Sequence, residues 1–121
     1  MKQVLIVDDS KVIRKVAQRI LQSLEFVTRE AENGLEALNS CRASMPDAVL
    51  LDWNMPVMDG LTFLKALRRE FGPDHPLVVF CTTENDMDHI ERAITSGAQE
   101  YIMKPFDEEI LTGKFEQVGL L

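Results

Sequence analysis

The stretch that decides the fold is AVLLDWNMP, residues 48–56. Four apolar residues run unbroken into Asp52, and a loop that reaches Pro56 follows. A short unbroken apolar run is typical of a strand buried on both faces, as in a parallel sheet. Asp52 then comes at the carboxyl end of the strand, the edge at which open α/β sheets bind their ligands. Taken alone, Asp52 is at least as well explained as a turn or helix-capping residue.

Short apolar runs and helical periodicities alternate along the rest of the chain. The predicted strands cover residues 4–7, 26–30, 48–51, 77–81 and 101–103. The predicted helices follow them at residues 11–24, 35–41, 60–71, 87–96 and 107–118. This alternation indicates an α/β fold, a flavodoxin-like, doubly wound parallel sheet with strand order 2-1-3-4-5 and helices on both faces. We expect a single domain over residues 1–121, with no output domain.

Helical periodicity also divides the first and third helices into apolar and polar faces. The stripe of the first helix that we expect to face the core comprises Val12, Ile13, Val16, Ala17, Ile20, Leu21 and Leu24. The face that we expect in solvent comprises Lys11, Arg14, Lys15, Gln18 and Arg19. In the third helix the predicted buried residues are Leu61, Leu64, Leu67 and Phe71, and the pair Arg68-Arg69 is interpreted as solvated.

Composition argues against several classes of function. The chain carries a formal net charge of −7 and no long basic run, which argues against nucleic-acid binding. Its apolar runs are too short for a membrane span or for the core of a secretory signal. Cys41 and Cys81 stand in no metal-binding or redox spacing and are interpreted as reduced, packed residues. These features predict a cytoplasmic protein that binds neither nucleic acid nor membrane.

Chemically active side chains follow four of the predicted strands. Asp8 and Asp9 follow the first strand, Asp52 the third, Thr82 the fourth and Lys104 the fifth. Because strands one and three are neighbours in the predicted order, three carboxylates would share one pocket and need a counterion, for which Mg²⁺ is suited. The set suits phosphoryl transfer onto a carboxylate, with the metal and Lys104 balancing charge and Thr82 donating to a phosphoryl oxygen.

Each of these residues also has an ordinary structural explanation. Asp8 and Asp9 could cap the first helix, Thr82 could be a satisfied strand-end hydroxyl, and Lys104 could be a surface lysine near an acid. The presence of all of them at the predicted strand ends is much harder to attribute to chance.

The same residues belong to a set of motifs that spans essentially the whole chain. The set comprises the acidic pair Asp8-Asp9, the acceptor Asp52, the Asp-x-x-Met-Pro-x-Met-Asp-Gly loop at residues 52–60, the hydroxyl residue Thr82, the aromatic residue Tyr101 and Lys104-Pro105. With these motifs the chain resembles the receiver domains of two-component response regulators. A further likeness, to the stand-alone chemotaxis regulators of that family, comes from Trp53, Asn54, Glu84 and Lys104-Pro105-Phe106.

The resemblance implies a phosphorylation site and a metal site. A histidine kinase or a phosphotransfer protein would pass a phosphoryl group to Asp52, the phosphoacceptor. Mg²⁺ would be bound by Asp9, Asp52 and the backbone carbonyl of Asn54, with Asp8 helping through water.

The resemblance also implies a switch. Thr82 and Lys104 would contact the phosphoryl group, and their movement would reorient Tyr101. The Lys104-Pro105 bond would be cis, which is inexpensive only before proline. A downstream protein would bind the face formed by the fourth helix, fifth strand and fifth helix of a monomer. Thr83 departs from the family pattern, which usually has a small residue there, and we expect it to narrow the path to the pocket.

Other functions stay open at this point. One is a phosphate sink or phosphorelay intermediate outside chemotaxis. A phosphatase with an aspartate nucleophile would resemble Asp-x-Asp followed by Thr, whereas Asp52-Trp53-Asn54 lacks the second acid that protonates a leaving group. A pseudo-receiver used only for interaction would have lost an acid or the lysine, and a flavin-binding flavodoxin would have a Ser/Thr-rich loop after the first strand. The chain shows neither pattern.

Overall fold

The computed structural model of the chain describes residues 1–83 and 87–121, so Glu84 lies outside the described residues. The strands are β1 (Gln3–Val7), β2 (Val27–Ala31), β3 (Ala48–Asp52), β4 (Leu77–Thr82) and β5 (Glu100–Met103). The helices are α1 (Lys11–Ser23), α2 (Gly34–Ala43), α3 (Gly60–Phe71), α4 (Met87–Thr95) and α5 (Glu108–Gln117). All neighbouring strands are parallel, in the order β2-β1-β3-β4-β5. The predicted doubly wound fold and its strand order are therefore confirmed.

The two faces of the sheet carry separate cores because side chains alternate along each strand. Leu5 and Val7 point to the face covered by α2, α3 and α4, whereas Val4 and Ile6 point to the face covered by α1 and α5. β3 is buried on both faces up to Leu51, which explains its continuous apolar sequence. The acid that follows emerges at the carboxyl edge of the sheet.

Polar residues determine where four of the helices begin. In each case a side-chain oxygen accepts a hydrogen bond from a backbone N–H of the first turn, at Ser10, Asn33, Asp59 and Asp107. Gly60 opens α3 so close to the end of β3 that a Cβ atom would overlap the carbonyl oxygen of Asp52. The absence of a side chain at Gly60 therefore permits the close approach of α3 to the strand end.

Two arginines that the periodicity assigned to solvent are at least partly buried. Arg14 of α1 is only 7% exposed. Arg68 of α3 donates hydrogen bonds to the carbonyl of Gly97 and to the side chain of Gln99. The prediction is wrong at both positions because a long side chain can turn its guanidinium back to polar groups on neighbouring elements.

The apolar stripe of α1 is wider than the contact between α1 and the sheet. Val12 is 71% exposed and Val16 is 42% exposed, whereas Ala17 and Leu21 are fully buried. Phe71, at the end of α3, is 37% exposed. A helix that packs on one face of a sheet buries only its central positions, so the predictions for the flanking residues are wrong.

Both cysteines are buried, free thiols, as predicted. Burial raises the pKa of the Cys41 thiol to about 11, so this group is a poor nucleophile at neutral pH. Within the two described ranges, no helix combines the length and the apolar character that crossing a membrane requires.

Candidate functional site

The carboxyl edge of the sheet brings most of the predicted site residues together. β1 and β3 are adjacent, with Val7 paired to Leu51, so the residues that follow β1 lie beside Asp52. A cavity of about 670 Å³ opens at this edge. The cavity is lined by Asp8, Asp9, Ser10, Ile13, Asp52, Asn54, Thr83, Lys104 and Pro105. Its position is the one at which doubly wound sheets bind their ligands.

Three carboxylates form a cluster in this cavity. Asp8, Asp9 and Asp52 each offer one carboxylate oxygen, and these oxygens all lie within 4.8 Å of one another. Asp8 is buried, Asp52 is half-buried and Asp9 is exposed. A group of hard oxygen ligands with access to solvent fits Mg²⁺, which binds one or two carboxylates and keeps several waters.

Lys104 is the cation that the chain itself places in the cluster. Its Nζ donates to Oδ2 of Asp8 at 2.6 Å and to Oδ1 of Asp52 at 3.0 Å. Burial alone would lower the pKa of Lys104, but the hydrogen bond to Asp8 and the charge of Asp52 outweigh burial and raise the pKa above its ordinary value. The ammonium group therefore stays charged at neutral pH and bridges two of the three acids.

The environment of Asp52 disfavours its charge. Burial raises the pKa of Asp52 above its ordinary value, the charge of Lys104 opposes that shift, and the charge of Asp8 adds to it. Lys104 thus compensates only in part for the burial of this carboxylate. A divalent cation in the cluster would stabilise the ionised form further.

Asp8 and Asp9 differ in how much of their hydrogen-bonding capacity the protein uses. Oδ1 of Asp8 accepts from the backbone N–H of Ser10 at 2.9 Å, and Oδ2 accepts from Lys104. The N–H of Asp8 donates to the carbonyl of Ala31 at 3.2 Å. Asp9 is exposed and lines the cavity. Asp8 is therefore held by protein groups, whereas Asp9 is accessible to a ligand.

The two threonines at the end of β4 occupy different environments. Thr82 is buried, and its carbonyl oxygen accepts from the backbone N–H of Lys104 at 2.7 Å. Thr83 is exposed and lines the cavity. The structure thus places Thr82 next to Lys104 through the backbone and places Thr83 at the cavity wall.

Tyr101 lies on β5, an edge strand of the sheet, and is half-buried. Its ring packs against the core under α2, α3 and α4, and its centroid is 4.4 Å from Nζ of Lys114. The Lys104-Pro105 bond that follows the strand is cis, as the resemblance implied. The predicted reorientation of Tyr101 stays a prediction.

An aromatic stack beside Asp52 escaped the sequence predictions. Trp53 stacks on His89 of α4, with ring centroids 4.5 Å apart and an interplanar angle of 16°. Phe80 meets the Trp53 ring edge-on at 5.0 Å, and the guanidinium carbon of Arg92 lies 5.8 Å from its centroid. The residue after the acceptor candidate therefore contacts α4 directly. The only signal in the sequence was the i, i+3 spacing of His89 and Arg92, which places them on one side of a helix.

Arg14 also lies near the site, although helical periodicity assigns its side chain to solvent. Its Nη1 donates to the carbonyl oxygen of Asp8 at 2.6 Å, and its Nε donates to Oε1 of Glu30 at 3.0 Å. Nothing in the sequence distinguishes Arg14 from its cationic neighbour Lys15, which is exposed.

The fold and the site together define a doubly wound domain with an acidic pocket and a buried lysine at its switch point. Residues 4–116 match the model of the family described as response regulator receiver domain. The chain is 35% identical over 117 residues to the chemotaxis protein CheY of Pseudomonas aeruginosa, which covers 96% of this chain and 94% of that protein. It is 36% identical over 117 residues to the chemotaxis protein CheY-3 of Vibrio cholerae, which covers 96% of this chain and 90% of that protein.

A solved structure shows the same relationship to the chemotaxis regulators. The structure of Vibrio cholerae CheY4 crystallised at low pH matches with a TM-score of 0.90 and 33% identity, and the match covers 98% of each chain. The chain belongs to the response regulator receiver domain family. It is accordingly a signalling domain and not a member of a classical enzyme family.

Proposed function

We propose that the chain is a phosphoacceptor switch, which takes a phosphoryl group onto Asp52 from a histidine kinase or a phosphotransfer protein. The observation that supports this proposal most is the position of Lys104. Its ammonium group bridges the carboxylates of Asp8 and Asp52, and the carboxylate of Asp9 belongs to the same cluster. A carboxylate can accept an anionic phosphoryl group only where fixed positive charge stabilises the transferring oxygens.

The chemical step would be a displacement at phosphorus. An oxygen of the Asp52 carboxylate forms the new bond, the bond from phosphorus to the donor atom breaks, and the electron pair of that bond leaves with the donor. Lys104 stabilises charge on the transferred group, and the Thr82 hydroxyl donates to one of its oxygens. The chain thereby catalyses only its own phosphorylation and dephosphorylation.

The residues present fit Mg²⁺ as the required metal. Asp9, Asp52 and the backbone carbonyl of Asn54 would hold the ion directly. Asp8 would act through water, because both of its carboxylate oxygens already accept hydrogen bonds from the protein. When bound, Mg²⁺ neutralises the acidic cluster and the oxygens of the transferred group. The exposure of Asp9 leaves space for the waters that Mg²⁺ keeps.

The output surface would be the face formed by α4, β5 and α5. Two contacts support this assignment: Trp53 stacks on His89 of α4, and Tyr101 of β5 lies against Lys114 of α5. A change at Asp52 could therefore reach both helices. Relatives named as chemotaxis proteins favour a downstream partner in chemotaxis. The monomeric state and the cytoplasmic location stay predictions.

The single tryptophan, Trp53, follows Asp52 directly and provides the test. Acetyl phosphate with Mg²⁺ should change the fluorescence of the wild type, and the change should decay as the acyl phosphate hydrolyses. Neither the variant Asp52→Asn nor the wild type with a chelator should show this phase. A donor-dependent change of equal size in Asp52→Asn would contradict the proposal.

A further inference from the structure

We propose that Arg14 is a positioning residue for the acidic pocket. From α1 it would hold the backbone between Asp8 and Asp9, so that the Asp9 carboxylate points into the cluster. Arg14 donates to the backbone carbonyl of Asp8, which joins Asp8 to Asp9, so it would act on the pocket through the backbone and not by contact with the phosphoryl group. The inference rests on the proposed function, because it concerns the same pocket.

The guanidinium of Arg14 is held in a fixed orientation. Nη1 donates to the carbonyl oxygen of Asp8 at 2.6 Å, and Nε donates to Oε1 of Glu30 at 3.0 Å. Nη2 lies 3.8 Å from Oε1 of Glu32. The Arg14 side chain is only 8% exposed, so water cannot easily replace these bonds. Because the guanidinium is planar and rigid, the bond to Glu30 on β2 determines the direction of the bond to Asp8.

The carbonyl of Asp8 belongs to the peptide group that joins Asp8 to Asp9. A peptide group is planar, so a bond that holds the carbonyl also determines the direction in which the chain enters Asp9. The other polar groups of Asp8 are held as well, by Ala31 at the N–H and by Ser10 and Lys104 at the carboxylate. The side chain of Asp9 is exposed and has few neighbours to orient it, so its backbone is the main constraint on its direction.

A charge effect and a positioning effect of Arg14 have opposite signs. Arg14 places a positive charge behind an acidic cluster, so loss of that charge alone would strengthen the binding of a divalent cation. Loss of position would weaken the binding, because the ligand oxygens would no longer converge. The sign of the change in Mg²⁺ affinity therefore separates the two.

The experiment compares wild type with Arg14→Met, Arg14→Lys and Glu30→Gln. Mg²⁺ affinity is read from Trp53 fluorescence without a phosphodonor. Arg14→Met should weaken Mg²⁺ binding about 10-fold. Arg14→Lys should recover only part of this loss, because an ammonium group restores the charge but not the planar fork. Glu30→Gln should also weaken Mg²⁺ binding, by a smaller factor, because it weakens the anchor of the guanidinium and removes a negative charge near the cluster.

A second measurement separates positioning from chemistry. The rate of phosphorylation by acetyl phosphate is followed as Mg²⁺ is increased. In Arg14→Met the Mg²⁺ concentration for half-maximal rate should rise with the dissociation constant, while the maximal rate stays within about threefold of wild type. A maximal rate that falls in proportion, with Mg²⁺ affinity unchanged, would overturn the positioning role.

Arg68→Met is the matched control. Arg68 also ties a helix to a loop, since its Nε donates to the carbonyl of Gly97 and its Nη2 to Gln99, both at 2.9 Å. Those partners lie at the amino end of β5, whereas the pocket lies at the carboxyl ends of the strands. Arg68→Met should lower the melting temperature and leave Mg²⁺ affinity within about twofold of wild type.

Several outcomes would overturn the inference. These are an unchanged or tighter Mg²⁺ affinity in Arg14→Met, full recovery by Arg14→Lys, or an equal loss of affinity in Arg68→Met. If Arg14→Met does not fold, Arg14→Lys decides, because it keeps the positive charge and loses only the planar fork: weaker Mg²⁺ binding supports positioning, and an affinity equal to wild type overturns it. If the wild type binds no Mg²⁺, the proposed function is overturned as well. If the wild type binds Mg²⁺ and the Arg14 variants bind it equally tightly, only this inference is overturned.

Discussion

The two sides of Asp8 are occupied by two buried cations that touch different parts of it. On the cavity side, Lys104 donates to the carboxylates of Asp8 and Asp52. On the α1 side, Arg14 donates to the carbonyl of Asp8. The two side chains are 9% and 8% exposed, so burial does not distinguish them. Lys104 therefore balances the negative charge of the pocket, whereas the role proposed for Arg14 is to fix the position of its backbone.

The largest effect is expected from removing the cation on the cavity side. In Lys104→Met the maximal rate of phosphorylation by acetyl phosphate should fall by about 100-fold or more, because a buried donor to the transferring oxygens is lost. Intact-mass time courses at saturating Mg²⁺ give the rate. Lys114→Met, which removes a lysine that lies against Tyr101, is the control and should stay near wild type. A fall of less than threefold in Lys104→Met would show that this lysine balances charge only before transfer.

The next prediction concerns the contrast between Asp8 and Asp9. In the presence of a chelator, Asp8→Ala should lower the free energy of unfolding by about 2 kcal/mol, because it removes the charged partner of a buried lysine and of a backbone N–H. Asp9→Ala should instead raise it, by up to about 1 kcal/mol, since an exposed acid that repels its neighbours is lost. Urea denaturation of both variants measures the difference. Equal destabilisation by the two substitutions would remove the distinction between a held and an accessible acid.

The raised pKa of Asp52 predicts how the stability of the metal-free protein depends on pH. Because its pKa in the fold lies above the ordinary value of 3.8, the folded state binds the proton more tightly than the unfolded chain. Asp52 therefore costs stability as pH rises from 3.8 through its pKa in the fold, and the cost is complete above that pKa. Asp52→Asn should match wild type near about pH 3.5 and exceed it by on the order of 1 kcal/mol near about pH 7.

Urea denaturation of both proteins across this pH range, with a chelator present, tests the sign. A difference between them that does not change with pH would mean that Lys104 fully offsets the burial of Asp52. In that case Lys104 would stabilise the ionised form of Asp52 more than the partial compensation inferred from the raised pKa of Asp52.

The smallest effect is expected at the cavity wall. Thr83 lines the cavity and has a branched side chain with few accessible rotamers. Thr83→Ala should speed both phosphorylation by a small donor and spontaneous dephosphorylation severalfold, about 1 kcal/mol or less in each barrier. Stopped-flow fluorescence of Trp53 gives both rates, and unchanged Mg²⁺ affinity serves as the internal control. If only dephosphorylation accelerates, Thr83 acts on the attacking water and not on access.

The contrast between Lys104 and Arg14 also shows how far the sequence alone could lead. Lys104 was predictable because it follows a strand, and the ends of parallel strands meet at one edge whatever the details of packing. Arg14 was not predictable because its role depends on a long side chain that turns back across α1 to Glu30 and to a backbone carbonyl. Periodicity describes the direction of the Cα–Cβ bond and not the position of a guanidinium several bonds away.

The stack of Trp53 on His89 was unpredictable for a different reason. The two residues belong to a loop and to a helix that meet only in the folded chain, so no local spacing pairs them. Periodicity also overstated the buried face of α1, since Val12 and Val16 share the apolar spacing of Ala17 but lie largely outside the contact with the sheet. Helix starts and strand-end residues follow from local rules and strand order from the fold class, whereas side-chain contacts between elements require the three-dimensional packing.

The central claim is that Asp52 accepts a phosphoryl group and that the acidic cluster needs Mg²⁺ to allow it. The most direct measurement is the intact mass of the protein after incubation with acetyl phosphate, for wild type and Asp52→Asn, each with Mg²⁺ and with a chelator. The account predicts that only wild type with Mg²⁺ gains the mass of one phosphoryl group. Equal uptake by Asp52→Asn, or uptake by wild type that does not depend on Mg²⁺, would contradict it.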